Sequence, residues 1–264
     1  MRRSRIASGW VWATRVARQV STRTLRQSAR NGSIARVAAA NGATVVLTAR
    51  RADRLKALAK EIEGKGGRAL AAPADVTDRN AVVRAFDAAE KAFGTVDLFV
   101  ANAGIAAVAR VLETTPETWR EVMATNLDAV FFSAQEAGRR MVKAGKPGAI
   151  VTIASVAGFA VPRGLAAYGI AKAGVIHATR ALAFGLARKG IRVNAIAPGY
   201  IITDMNREYL TSEKGEELRE QIPLGRFGEE HDLDGAFLLL ASQAGANITG
   251  ATVVIDGGHL LTGG

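Results

Sequence analysis

With 264 residues, 48% of them apolar, the chain is long enough to bury a full core as one α/β domain. It has no cysteine, which excludes disulfides, thiolate catalysis and a cysteine-based zinc site, and no apolar stretch is long enough to span a bilayer. The net charge of +11 is concentrated: residues 1–35 hold eight arginines (Arg2, Arg3, Arg5, Arg15, Arg18, Arg23, Arg26, Arg30), no lysine and no acid, which leaves the body at only +3. That distribution argues against a nucleic-acid partner for the globular part.

Residues 1–35 therefore read as an irregular Arg-rich head, and 36–264 as the folded domain. From about residue 43, short apolar runs alternate with longer amphipathic segments, the pattern of βαβ units. Strands are predicted over Ala43–Thr48, Arg68–Ala72, Val96–Ala101, Ala149–Ala154, Ile191–Ala197 and Ala251–Ile255. Most are continuous Val/Ile/Leu/Ala runs, as required when helices cover both faces of a sheet. Helices are predicted over Arg51–Gly64, Asp78–Phe93, Pro116–Lys143 and Ala166–Lys189, with Thr115 before Pro116 as a start and Gly190 after Lys189 as a stop. The polar, aromatic segment Tyr200–Pro223 is a candidate lid. The predicted fold is a single Rossmann-like, doubly wound parallel sheet without internal repeats.

In such a sheet, ligands lie beyond the carboxyl ends of the strands. Four sequences fall there: Asp75-Val76, Asn102-Ala103-Gly104, Ser155 and Pro198-Gly199. Tyr168 and Lys172, four apart in a helix, share a face. A free phenol titrates near ~10, and a nearby ammonium favours its phenolate, so Lys172 is the natural activator of Tyr168 as a proton donor and acceptor. Ser155, from the neighbouring strand end, could hydrogen-bond a carbonyl oxygen as charge develops there.

These residues resemble the short-chain dehydrogenase/reductase family from about Asn41 onward. The family's Ser and Tyr-x-x-x-Lys map onto Ser155, Tyr168 and Lys172, its helix Asn onto Asn126, and its Asn-Ala-Gly onto Asn102, Ala103 and Gly104. Ala101 stands where the family often has another Asn. The resemblance implies an NAD(P)-dependent oxidoreductase interconverting a secondary alcohol and a ketone, cytoplasmic, and a homodimer or homotetramer. Tyr168 would exchange the proton, Lys172 would lower its pKa and hold the nicotinamide ribose, and Ser155 would orient the carbonyl. Asn126 would support a water leading to Lys172. Asp75 and Val76 would flank the adenine; Pro198, Gly199, Ile201 and Thr203 would hold the nicotinamide end; Tyr200, Met205 and the residues after them would form the lid. A 3-oxoacyl thioester, a sugar acid or polyol, and a steroid-like ketone are all open as substrates. A catalytically impaired homologue acting through subunit contacts is the alternative.

Cofactor choice follows from charge after the second strand. A ribose 2′-hydroxyl is held there by an acid and a 2′-phosphate by a cation. Thr48-Ala49-Arg50-Arg51 has no acid and places Arg50 for NADP, with NAD as the second choice.

The family's glycine-rich turn, which lets backbone approach a pyrophosphate, should follow Thr24 with glycines at Leu25, Ala29 and Asn31. None is glycine. The strand before it would be Arg18–Arg23, a poor central strand because an unpaired buried Arg is costly. Three origins are considered for this head. They are a reading-frame change that recovers near Ile34-Ala35-Arg36, an organelle-targeting presequence, and a degenerate family member. The first explains both the arginines and the absent glycines.

Overall fold

The computed structural model describes residues 10–14, 32–203 and 206–262. Its elements run β1 (Trp10–Thr14), α1 (Ser33–Ala40), β2 (Thr44–Thr48), α2 (Ala52–Gly64), β3 (Arg68–Ala71), α3 (Arg79–Phe93), β4 (Leu98–Ala101), α4 (Pro116–Met123), α5 (Ala129–Lys143), β5 (Gly148–Ile153), α6 (Ala166–Leu186), β6 (Ile191–Pro198), β7 (Ile201–Ile202), α7 (Arg207–Leu210), α8 (Glu213–Glu220), β8 (Gly228–Glu229), α9 (Asp234–Ala241) and β9 (Thr252–Ile255). Seven strands form the main sheet in the order β3-β2-β1-β4-β5-β6-β9, and β7 pairs with β8 in a small second one.

Alternation along the strands divides the core. In β4, Phe99 and Ala101 join Phe86, Ala134, Met141 and Val175 of α3, α5 and α6, whereas Leu98 and Val100 join Ile34, Leu55 and Phe237 of α1, α2 and α9. Side chains alternate faces at each residue, so one apolar run fills both layers. This is the doubly wound arrangement that the unbroken apolar runs predict, and all six predicted strands form to within a residue or two.

The centre of the sheet differs from expectation. The place between β2 and β4 is filled by β1, which runs antiparallel to both, with Trp10 opposite Thr48, Thr14 opposite Thr44 and Val11 opposite Val100. The weak strand expected at Arg18–Arg23 lies outside the described residues, as do Leu25, Ala29 and Asn31. The run Trp-Val-Trp-Ala-Thr is uncharged and rich in aromatic and β-branched residues, which favours strand pairing. The sheet is thus parallel except for its central strand.

Two predicted helices are also subdivided. Pro116–Lys143 is interrupted by a π-helical turn at Ala124–Asp128, and Ala166–Lys189 ends in a 3-10 turn over Ala187–Lys189 before Gly190 in the left-handed region. Thr115 caps α4 by accepting from Thr118 N–H at 3.2 Å. Helices α1 and α9, absent from the sequence reading, meet through a buried bond from Ser33 Oγ to Asp234 Oδ1 of 3.1 Å. Burial raises the Asp234 carboxyl to about 6, against the pull of the Ser33 bond.

One partly buried cation clamps α3 to α5. Arg140 reaches Asp87 at 2.8 Å, Glu90 at 2.7 Å and Glu136 at 2.7 Å, with its guanidinium 5.1 Å from the centre of the Phe86 ring. Its removal would leave three carboxylates facing one another. Arg140→Ala is expected to destabilise the fold by roughly 1–3 kcal/mol, read as a lower thermal midpoint whose deficit shrinks in high salt.

Candidate active site

The site is assembled at the carboxyl edge of β4, β5 and β6. Ser155 lies two residues beyond β5, in extended backbone, and its Oγ accepts from Ala157 N–H at 3.1 Å. Tyr168 and Lys172 lie one turn apart near the start of α6. The Ser155 side chain lies beside the Tyr168 hydroxyl, and Lys172 Nζ is 5.7 Å from the centre of the Tyr168 ring.

The glycines Gly158 and Gly169 make this approach feasible. A Cβ on Gly158 would fall 2.9 Å from Ala173 N and from Lys172 C, and one on Gly169 would fall 2.9 Å from Ala157 O. Any side chain there would push the Ser155 loop off α6. These two positions were not singled out from the sequence, where they look like ordinary small residues.

Burial sets the electrostatics. It raises the Tyr168 phenol, with the Ser155 bond pulling the other way, and it lowers the Lys172 ammonium from 10.5 to about 8. Lys172 is almost fully buried and donates to Ile153 O at 2.6 Å. A phenol that keeps its proton at neutral pH is in the state needed to protonate a carbonyl oxygen.

Asn126 occupies the π-helical turn. Its Nδ2 donates to Ile105 O at 2.8 Å and to Val122 O at 3.0 Å, and its Oδ1 accepts from Ile105 N–H at 2.9 Å. The extra residue in the turn brings this amide to the loop after β4. Gly104, the last residue of Asn102-Ala103-Gly104, lies directly against it. A Cβ there would be 2.8 Å from Asn126 Oδ1 and 3.7 Å from Lys172 Nζ. Asn126, Gly104 and Lys172 therefore form one continuous patch.

Beyond β6, Gly199 N–H donates to Ile255 O at 2.9 Å, and a Cβ on Gly199 would clash with Asp256. Pro198 closes the strand opposite Ile255, and Ile201 pairs with Gly228. Asn206 locks this segment: its Oδ1 accepts from Thr203 N–H at 2.7 Å and Thr203 Oγ1 at 3.0 Å, and its Nδ2 donates to Ile201 O at 2.8 Å. This residue too was missed by sequence reasoning. Its only signal is an Asn three residues after a Thr, a common turn pattern. Within the predicted lid, α7 and α8 rest on a small apolar cluster of Leu210, Ile222 and Phe227 with Tyr200; Met205 lies outside the described residues.

At the far end of the same edge, Arg50 and Asp75 follow β2 and β3. Asp75 Oδ1 accepts from Thr77 N–H at 2.9 Å and Thr77 Oγ1 at 2.7 Å. Burial works against ionisation, but these bonds and the Arg50 charge hold the Asp75 carboxyl below its usual range. Val76 follows it, half-buried.

For a dinucleotide laid along this edge, the residues present fit at both ends. One end has the glycine clearance at Gly104 beside Lys172, and the other has Asp75 within the influence of the Arg50 charge. The usual pyrophosphate turn would leave the sheet at this edge. Here β1 presents its first residue, Trp10, at this edge and ends at Thr14 on the opposite one. Among the described residues, no metal-binding cluster of His, Asp or Glu is present, and no helix is long and apolar enough to cross a membrane.

A doubly wound sheet that brings a serine, a tyrosine and a buried lysine to one strand edge defines an oxidoreductase of the carbonyl–alcohol class. A family model described as enoyl-(acyl carrier protein) reductase matches residues 32–259. The galactitol 2-dehydrogenase (L-tagatose-forming) of Cereibacter sphaeroides is 42% identical over 233 residues, covering 86% of this chain and 89% of that protein. The L-rhamnose 1-dehydrogenase (NAD(P)(+)) of Azotobacter vinelandii is 38% identical over 229 residues, covering 85% and 90%. The crystal structure of a gluconate 5-dehydrogenase from Burkholderia cenocepacia J2315, in complex with NADP and tartrate, aligns with a TM-score of 0.83 at 32% identity, covering 90% of this chain and 97% of that one. The chain belongs to the short-chain dehydrogenase/reductase family and is an oxidoreductase by lineage.

Proposed function

We propose that this protein interconverts a secondary alcohol and a ketone on a small-molecule substrate, with NADP as the preferred dinucleotide and NAD as the second choice. The observation that carries the reading is Ser155 and Tyr168 brought side by side with Lys172 buried next to the Tyr168 ring. A bound dinucleotide supplies the hydride to the carbonyl carbon, or accepts it from the alcohol carbon.

The chain's own residues handle the proton. In reduction Tyr168 gives its phenolic proton to the substrate oxygen, and in oxidation its phenolate takes the proton back. Ser155 donates a hydrogen bond to the same oxygen, where negative charge grows. Lys172, held by Ile153 O, favours the phenolate and offers its remaining N–H groups to ribose hydroxyls. Asn126 fixes the Ile105 backbone and supports a water on the way to Lys172. Asn102, Gly104, Pro198, Gly199, Ile201 and Thr203 surround the nicotinamide end, while Asp75 and Val76 flank the adenine.

Arg50 is the residue assigned to the 2′-phosphate. Titration of NADPH and NADH, followed by tryptophan fluorescence, is expected to show tighter binding of NADPH, and Arg50→Glu should remove a preference of roughly tenfold or more. If neither dinucleotide binds the folded protein at millimolar concentration, the enzyme reading fails. We further propose a cytoplasmic homodimer or homotetramer built through α5 and α6, on which Phe132 and Phe184 are exposed.

A further inference from the structure

We propose that the substrate of this site has an apolar body, an alkyl or ring ketone and its alcohol, and is not a polyol. This rests on the oxidoreductase reading above.

Two loops flank Tyr168. Within Ile105–Leu112, after β4, the only polar side chain is Arg110, and within Val156–Ala167, before Tyr168, the only one is Arg163. The loops are joined: Ala109 N–H donates to Gly164 O at 2.9 Å, Ala109 bridges Leu165, and a Cβ on Gly164 would meet Val108 Cγ1 at 3.2 Å. They continue directly into the catalytic residues, since Ile105 and Ala107 pack in one cluster with Ala167, Ala171 and Tyr168.

A polyol resting on these two loops exchanges water for surfaces whose only polar side chains are two exposed arginines, Arg110 and Arg163. An apolar body meets the opposite situation. Val108 is 77% exposed, Leu112 99%, Val161 87% and Phe159 48%, a set of apolar side chains on these loops that an apolar ligand could cover. In the lid segment, Asn206 spends its oxygen on Thr203 and donates to Ile201. The relatives named for galactitol and L-rhamnose resemble this chain over most of its length, while these loops favour a different body.

The test uses the full chain with NADP and compares oxidation of 2-decanol with that of galactitol and L-rhamnose, alongside calorimetric binding of 2-decanone and galactitol. The expected result is a kcat/KM for 2-decanol at least ~100-fold above either polyhydroxylated compound. Val161→Asp should lower the 2-decanol value without a matching fall for galactitol. Equal or better turnover of galactitol overturns the proposal and leaves the oxidoreductase reading standing. Binding of 2-decanone but not galactitol, without turnover of either, supports the apolar body and overturns the oxidoreductase reading. No binding of either overturns both, as it would if a second copy of the chain covers these loops.

Discussion

Tyr168→Phe is expected to lower carbonyl reduction by roughly 10²–10⁴-fold while leaving dinucleotide affinity within about twofold of the parent. The substitution removes one oxygen and keeps the ring, so the packing with Ile105, Ala167 and Ala171 persists. What disappears is the proton donor and the partner of Ser155. Steady-state rates and a nucleotide titration on the same preparation check both halves. Retained turnover would remove Tyr168 from the proton step, and lost binding would show that the change disturbed the site as a whole.

Lys172→Met is expected to abolish most activity and at the same time stabilise the fold. Burial lowers the ammonium from 10.5 to about 8, a cost of order ~3 kcal/mol that the folded state bears while Lys172 is charged. Methionine has no charge to desolvate, although Ile153 O loses its donor, so a net gain of about 2 kcal/mol follows. The sign with pH is definite. Below about 8 both folded and unfolded chains hold the proton and the full cost is present. Between about 8 and 10.5 the folded state sheds the proton first, so the parent gains stability as pH rises through that window. Thermal midpoints of both proteins from pH 7 to 10 should therefore converge at the alkaline end. A Lys172→Met midpoint below the parent at pH 7 would contradict the assignment of a desolvated charge. Reduction by the parent should decline above about pH 8, as Lys172 loses the charge that favours the phenolate.

The two experiments bear on one physical conflict. The same burial that keeps Tyr168 protonated also makes the Lys172 charge expensive, and its bond to Ile153 O and the nearby face of the Tyr168 ring compensate only in part. Ribose hydroxyls would add partners for that ammonium, so dinucleotide binding should hold Lys172 protonated to a higher pH.

Much of this molecule was readable before any coordinates. Apolar runs such as Val-Asp-Leu-Phe-Val-Ala specified buried strands because a strand covered on both faces by helices is filled mainly with apolar side chains. The four-residue spacing of Tyr168 and Lys172 specified a shared helix face because a helix turns in 3.6 residues. Ser155, Asn102-Ala103-Gly104 and Pro198-Gly199 could be placed at one edge because parallel strands end together. Tertiary structure decided what depends on contacts between distant segments. It filled the centre of the sheet with Trp10–Thr14, running antiparallel to β2 and β4, a pairing that depends on segments far apart in the chain. It inserted the π-helical turn that delivers Asn126 to Ile105, and it gave Gly158 and Gly169 their importance, since a clearance of 2.9 Å exists only once α6 lies against the Ser155 loop. Local periodicity carries information about which face a residue occupies; how closely two faces approach is a property of the packed chain alone.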